Sequence, residues 1–362
     1  MKIGTLLCLT VALISKSLAQ GPLTPPGAPA PTMKSLDQIE ARTPISTAPI
    51  TISAGGSYYL TQNLTVAGGN AIVITASNVT LDLNGFTISS TADPALGTAI
   101  STLPSRNGIV IRNGAIRGSV VRSGSTYSGA GFHSGITMLS SSGVQVEKIQ
   151  ISGILSSGIL LSTNASQARN CVVVTCGVEG LKAETVEDCT VTDIGGVAIY
   201  SKIATKCVGA NEVGTADGII ADIATDCRGS CVAGSGISAK TVNNSYGTSS
   251  NGIGIEATTA NNSQGDSTIG TGIVATTVNN STGTSITSHG INASMAVMNS
   301  FGFGGGTGDG IRCTGGVVTN SFGKLAPSGT GVGLRALTAN GSRGTNSSDV
   351  VSQTITNKYN MP

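Results

Sequence analysis

The side chains able to carry acid–base, nucleophilic or ligand chemistry are few in this 362-residue chain, and they are scattered. Asp82, Asp93, Glu147, Glu179, Glu184, Glu187, Asp188 and Asp193 form no Asp-x-Asp-x-Asp run of the kind that cages calcium. Cleavage of a glycosidic bond needs two carboxylates that flank it, and the Asp of Leu81-Asp82-Leu83 has no acidic neighbour in sequence. His133 and His289 are the only histidines, too few and too far apart for a zinc site. The sequence therefore predicts no catalytic, cofactor-binding or metal-binding residues. What it offers is a candidate glycan-contact set. Arg112 and Arg117 share a stretch with strand character, and Tyr127 and His133 lie in the loop that follows. Aromatic faces beside guanidinium groups suit a sugar or an acidic glycan. Arg106, Arg112, Arg117 and Arg122 are six, five and five residues apart, and odd steps alternate faces along a strand, so no single basic patch follows.

The cysteines read differently. Cys8 lies in an apolar leader, which leaves seven of the eight for the rest of the chain. Cys171, Cys189, Cys207 and Cys227 are spaced 18, 18 and 20 residues apart, in a column later occupied by serine. Stacked coils hold parallel Cβ vectors, which keeps sulfurs apart, so the column is expected to be a buried ladder of small side chains rather than a set of disulfides.

The elements that must position these residues are repeats. The stretch from Gly236 to Ser285 reads GISAKTVNNSYGTSSNGI, GIEATTANNSQGDSTIGT, GIVATTVNNSTGTSITSH, a fixed period of 18. From residue 180 to 333, Gly or Ala followed by Ile or Leu recurs in steps of 18 to 23. Columns of Ala, of Val or Ala, of Cys or Ser, and of Gly keep step with that anchor. Such a pattern predicts a parallel β-solenoid with about 18–23 residues per regular coil. Equivalent residues then sit above one another, about 4.8 Å apart. Gly 51, aromatics at 3% and no Trp agree with a narrow interior. Asn244, Asn262, Asn280, Asn299 and Asn320 are expected to form an amide ladder at a corner, and the Gly column to supply corners with positive φ. Earlier coils are expected to be longer, Gly108-Ile109 to Gly135-Ile136 spanning 27 residues, with loops at 89–107 and 119–134. Thr258, Thr276, Ser294 and Thr314 make an outward hydroxyl column, and Phe301, Phe322 and Tyr246 an aromatic stripe if the Ser column points inward.

The flanks complete the layout. Residues 1–19 read as a secretory signal peptide, with Lys2, an apolar Ile3–Ile14 core and a Ser17-Leu18-Ala19 cleavage site. Its removal leaves 18 basic against 18 acidic residues, which argues against nucleic acid as a partner. No later segment could span a membrane as a helix. Residues 20–34 form a Pro-rich leader, 35–49 an N-terminal cap with a short helix over Leu36–Arg42, 50–348 the β-helix, and 349–362 a C-terminal tail or cap.

Asn78-Val-Thr-Leu-Asp-Leu-Asn-Gly-Phe-Thr-Ile88, Asn107-Gly-Ile-Val-Ile-Arg-Asn-Gly114 and Gly143-Val-Gln-Val-Glu-Lys-Ile-Gln-Ile151 resemble right-handed parallel β-helix repeats of the pectate-lyase-like superfamily. The layout as a whole is similar to that of secreted bacterial β-helix proteins. The resemblance implies an all-β, right-handed, single-stranded parallel β-helix. The polygalacturonase-like Gly-His-Gly is absent. The fold hosts many activities. The expected role is therefore a secreted or cell-surface structural, adhesive or glycan-contacting protein whose partner is an extracellular polysaccharide or cell-surface glycan. Two alternatives stand beside it: a polysaccharide lyase or glycoside hydrolase working in a groove beside the 89–134 loops, and a self-associating fibre subunit.

Overall fold

The computed structural model describes residues 41–346, 348 and 351–360. The chain divides into two compact units, Met1–Arg42 and Thr43–Pro362, and the fold below is that of the second. The expected signal peptide and Pro-rich leader lie outside the described residues, as does the capping helix apart from Ala41 and Arg42.

From Thr43 onward the chain winds as a right-handed parallel β-solenoid of about 15 turns. Each turn contributes a strand to three parallel ladders. In the anchor ladder the aliphatic column is continuous: Ile72, Ile100, Ile136, Ile159, Leu181, Ile199, Ile219, Ile237, Ile255, Ile273, Ile291, Ile311 and Leu334 pair in succession. All are buried. The middle ladder follows in each coil and carries the buried Val186, Ala204, Ala224, Val242, Ala260 and Val278. In the later turns anchor and middle strands merge into one bent strand, as in Ile255–Asn261 and Ile273–Asn279. The third ladder carries the glycine column, with Gly247, Gly265, Gly283, Gly302 and Gly323 in register. The ladders run past the expected bounds at both ends. Thr43–Ile45 already pairs with the next turn, and Gln353–Tyr359 forms the last rung on Leu334–Asn340.

Two columns differ in their work from expectation. The glycines of the third ladder do not make corners. A Cβ on Gly265 would lie 2.3 Å from the carbonyl oxygen of Gly272, and one on Gly247 2.2 Å from that of Gly254. The glycine ladder therefore packs backbone to backbone against the Gly of the next anchor pair, and hydrogen is the only side chain that fits. The positive φ belongs to the residue between the middle and glycine ladders. Asn244, Asn262, Asn280, Asn299 and Asn320 have φ between 46° and 48°, and Asn113, Lys148, Asp188, Lys206 and Asp226 repeat the conformation. Asn adopts it more readily than other side-chain-bearing residues because its short amide tolerates the left-handed region. An amide–amide bond is formed one residue earlier, from Asn261 Nδ2 to Asn243 Oδ1 at 3.1 Å.

The residue after this corner points inward. Ser245, Ser263, Ser281, Ser300 and Ser321 are buried, and each Oγ accepts the amide of its counterpart one turn earlier, as in Ser263 N to Ser281 Oγ at 3.1 Å. Each hydroxyl then donates to the carbonyl two residues back, Ser281 to Asn279 at 2.8 Å. Cys171, Cys189, Cys207 and Cys227 continue the column with thiols. Cys189 Sγ donates to Glu187 O at 3.2 Å, and the Cys171 amide donates to Cys189 Sγ at 3.4 Å. All seven described cysteines are free and buried, and Cys171, Cys189, Cys207 and Cys227 stand in the expected ladder. Burial pushes the Cys176 thiol up to about 12 and Cys313 to about 11.

The early coils depart from the expected bounds. Ile109 pairs with Val79 in the middle ladder and is not an anchor. The anchor before Ile136 is Ile100, 36 residues earlier, on the strand Thr98–Thr102 that lies inside the expected 89–107 loop. The second loop carries an antiparallel hairpin, Val121–Ser123 with Thr126–Ser128.

Substituting Gly265→Ala is expected to destabilise the fold by about 1–3 kcal/mol in urea unfolding, because backbone must move to admit the methyl group. Asn262→Gly, which keeps the corner conformation, should change stability by no more than a few tenths of that range. Alkylation of the native protein should leave the described thiols unmodified, and denaturation without reductant should expose all seven to the reagent.

Candidate functional site

The turns carry the four expected glycan contacts to separate places. Arg112 stands in the middle ladder beside Asp82, Nε to Oδ2 3.1 Å, and Asp82 also accepts from Asn113 Nδ2 at 3.3 Å and the Asn84 amide at 2.9 Å. Arg117, at the end of the same strand, is exposed and lines a depression of about 340 Å³ with Thr87, Asn113, Lys148 and Gln150. Tyr127 sits on the hairpin, packed over Gly177 and Gly195, with its hydroxyl 3.5 Å from Asp193 Oδ1. Arg122 ties the same hairpin down through Asp193 at 2.5 Å and Glu212 at 2.8 Å. Burial, and next the Asp193 charge, push the Tyr127 hydroxyl up to about 12, with Arg122 opposing. His133 is exposed, its Nδ1 3.2 Å from Ser134 Oγ.

The stacking also answers whether coils gather the dispersed carboxylates. Mostly they gather opposite charges. Asp82, Arg112, Glu147, Arg169 and Glu187 stand in one outward column in that order, with ion pairs of 3.1 Å at Asp82–Arg112 and Arg169–Glu187. Lys202–Glu184 and Lys240–Asp222 pair in the same way, one turn apart. Among the described residues no group of three or more His, Cys, Asp or Glu is placed to hold a metal ion.

The larger site lies elsewhere, at the bend between the anchor and middle strands. Two depressions of about 360 and 400 Å³ share Glu256 and Ala257 and so form one open groove. Its floor is the alanine column, with Ala239, Ala257, Ala275 and Ala293. One wall is the hydroxyl column, Thr258, Thr276, Ser294 and Thr314. The other is the outward column one residue after the anchor, where Ser238, Glu256, Val274, Asn292, Arg312 and Arg335 stack in register.

At the last turns this wall gains a charged cluster. Asp309 is 2% exposed and accepts two bonds from Arg335, Nε to Oδ2 2.8 Å and Nη2 to Oδ1 3.2 Å, and one from the Val332 amide at 2.9 Å. The Asp309 amide donates to His289 Nδ1 at 2.7 Å, and His289 Nε2 lies 3.3 Å from Arg312 Nη1. Burial holds His289 below its ordinary pKa, Asp309 opposes, and Arg312 and Arg335 add to the lowering. At the acidic end, Ser235 joins two carboxylates, its amide donating to Asp217 Oδ1 at 2.6 Å and its hydroxyl to Glu256 Oε2 at 3.1 Å. Burial first, with Glu256 adding, raises the Asp217 pKa against the opposing Ser235 amide.

The sequence reading missed Asp217, Glu256, Asp309, Arg312 and Arg335, and set His289 aside. The signal was present as column offsets. Glu256, Arg312 and Arg335 each stand one residue after an anchor, and Asp217, His289 and Asp309 each stand two before one.

Residues 50–212 match the family model described as a right handed beta helix region, and the described residues from Thr43 onward have the fold of a parallel β-helix. No curated protein matches the chain. Among solved structures it is similar to the A-module of mannuronan C-5 epimerase AlgE6 from Azotobacter vinelandii. Identity is 14% and the TM-score 0.37, over 85% of this chain and 90% of that one.

The lowered His289 pKa sets a pH dependence. Below the ordinary histidine value the unfolded chain takes up a proton that the folded chain resists. The stability contributed at higher pH is therefore lost as pH falls from the ordinary value through the lowered folded one. Urea unfolding across that window should show stability rising with pH. His289→Gln, whose side-chain oxygen can still accept the Asp309 amide, should flatten the slope, and an unchanged slope would assign it to another group.

Proposed function

We propose that this chain is a non-catalytic, glycan-contacting β-solenoid that holds an extracellular polysaccharide along the groove at the anchor–middle bend. The observation that supports this most is the continuity of that groove. Its walls are ladders of hydroxyl, amide and charged groups repeated about every 4.8 Å along the axis. A repeating polymer of polyols meets a hydroxyl of the Thr258, Thr276, Ser294 and Thr314 wall at each turn, whereas a small metabolite would call for an enclosed pocket. The alanine floor leaves room for a ring edge, and a larger side chain there would close the channel. Secretion, through the leader of residues 1–19, belongs to this reading because the ligand is extracellular. Arg117 in its depression beside Lys148 is a second contact in this proposal, and Arg112, Tyr127 and His133 are weaker ones.

One observation favours a second reading, hydrolysis of the bound polymer. Asp217, with its raised pKa, is linked through Ser235 to Glu256, which lines the groove, an arrangement in which one carboxyl could donate a proton and the other activate water.

Affinity electrophoresis in gels cast with acidic and neutral polysaccharides separates these ideas. Wild type should be retarded by at least one polymer, and Ala257→Leu, which fills the floor, should weaken that binding roughly tenfold or more by steric block. Equal retardation of both proteins would move the binding surface away from this groove. Release of reducing ends that is lost in both Asp217→Asn and Glu256→Gln would replace the binding role with hydrolysis.

A further inference from the structure

The donors around His289 lack an acceptor. The Asp309 amide is directed at His289 Nδ1, 2.7 Å away, and requires a lone pair there. The neutral imidazole then carries its proton on Nε2. Nε2 is 3.3 Å from Arg312 Nη1, and a guanidinium has donors only. Two N–H groups thus face one another across the end of the groove. The nearest carboxylate does not mediate. Asp309 is engaged by both Arg335 nitrogens and the Val332 amide, and it stands on the Nδ1 side of the ring at 3.9 Å. The charges point the same way. Asp309 cancels Arg335, the ring is neutral, and Arg312 makes no ion pair among the described residues. Glu256 is three rungs from Arg312 in the same column, about 14 Å away and beyond a Debye length at physiological salt.

We propose that His289 Nε2–H and the Arg312 guanidinium form an oxyanion site, taking the carboxylate of a uronate or the sulfate ester of a sulfated sugar. One ligand oxygen between Nε2–H and Nη1–H accepts from both and removes the donor–donor conflict. A second oxygen takes another N–H of the Arg312 fork, a charge-assisted pair. Asn292, one rung before Arg312 in the same column, and Ser294 and Thr314 on the facing wall meet the hydroxyls of that sugar ring. Asp309 is a positioning residue, since it fixes the imidazole through its amide and holds Arg335 away from the anion. The proposal deepens the groove reading and depends on it for the sugar, though not for the anion.

The test is NMR of the His289 imidazole in the full chain, titrated separately with galacturonate, galactose 6-sulfate and galactose. The free protein should show the Nε2–H tautomer. At about 10 mM, tenfold above a millimolar Kd, at least one acidic sugar should shift the Nε2 signal saturably, and galactose should not. The stronger of the two acids identifies the oxyanion. Arg312→Gln, a change at an exposed position, should weaken the response roughly tenfold to a hundredfold, and Arg312→Lys should fall between. An Nδ1–H tautomer in the free protein overturns the proposal. So does the lack of any shift by either acid, or an equal shift by galactose, whatever the polysaccharide gels show. Conversely, a site that responds to acidic sugars in a protein that no polymer retards leaves the anion site standing and removes the groove reading.

Discussion

The close approach of two glycine columns governs the turns of this molecule from Gly209 onward, where Val191 gives way to glycine in the third ladder. In each regular turn the glycine ladder lies against the Gly of the next anchor pair with no space for a β-carbon. That contact flattens the coil and fixes its cross-section. It admits one aliphatic side chain from the anchor ladder and a small one from the middle ladder, which is why Ile recurs above Ile and Val or Ala above Ala. A thin coil must also turn sharply, and the turn falls on a single residue in the left-handed region, most often Asn. The amide after that turn would be orphaned within the core. The inward Ser or Cys of the next turn accepts it, so the hydroxyl ladder is the necessary complement of the asparagine corner.

A core specified so tightly leaves chemistry to the outward columns, and stacking decides what they do. Residues 18 to 36 apart in sequence become neighbours about 4.8 Å apart. Over the first turns those neighbours alternate in sign, and Asp82, Arg112, Glu147, Arg169 and Glu187 neutralise one another. Partly exposed pairs of this kind contribute little stability each, but they spend the charges that a binding site would need. At Arg312 and Arg335 the column has two cations in succession with one buried carboxylate between them. Functional potential follows from this imbalance of pairing more than from the number of charged residues.

Much of the architecture was legible in the sequence because its causes are periodic. The Ile anchors, the Ser and Cys column and the absence of Trp each reflect the same narrow section, so parallel winding and a buried small-residue column could be read directly. Glycine was misread because two constraints favour it: freedom of φ, and lack of a β-carbon. Sequence cannot tell which applies, and here it was the second for the interior column, while asparagine carried the first. Ile109 resembles an anchor in sequence because Gly-Ile also occurs in the middle ladder, and only pairing with Val79 distinguishes the two. The site was hidden for a related reason. Asp309 and His289 are 20 residues apart, a spacing that means nothing until the coil length at that point is known.

The coil length changes where the cluster lies. From Ile237 to Ile291 each turn takes 18 residues, and nothing can be added without disturbing the ladders above and below. From Ile291 to Ile311 the turn takes 20 residues, and from Ile311 to Leu334 it takes 23. The surplus is let out on both sides of the glycine ladder: at the bend between the anchor and middle strands, where the register shifts, and before the next anchor, where Gly305 and Gly306 wrap over Ile286 and Thr287, and Gly306 has φ 53°. The Asp309 amide nevertheless meets the His289 side chain as the Ser235 amide meets Asp217 across an 18-residue turn. Stacking repeats this backbone-to-side-chain contact whatever the length of the coil, so what sets one turn apart from the next is the side chain that each column supplies. At His289 and Arg312 the columns supply two nitrogen-bearing groups side by side, and there the surface can do something that the rungs before it cannot.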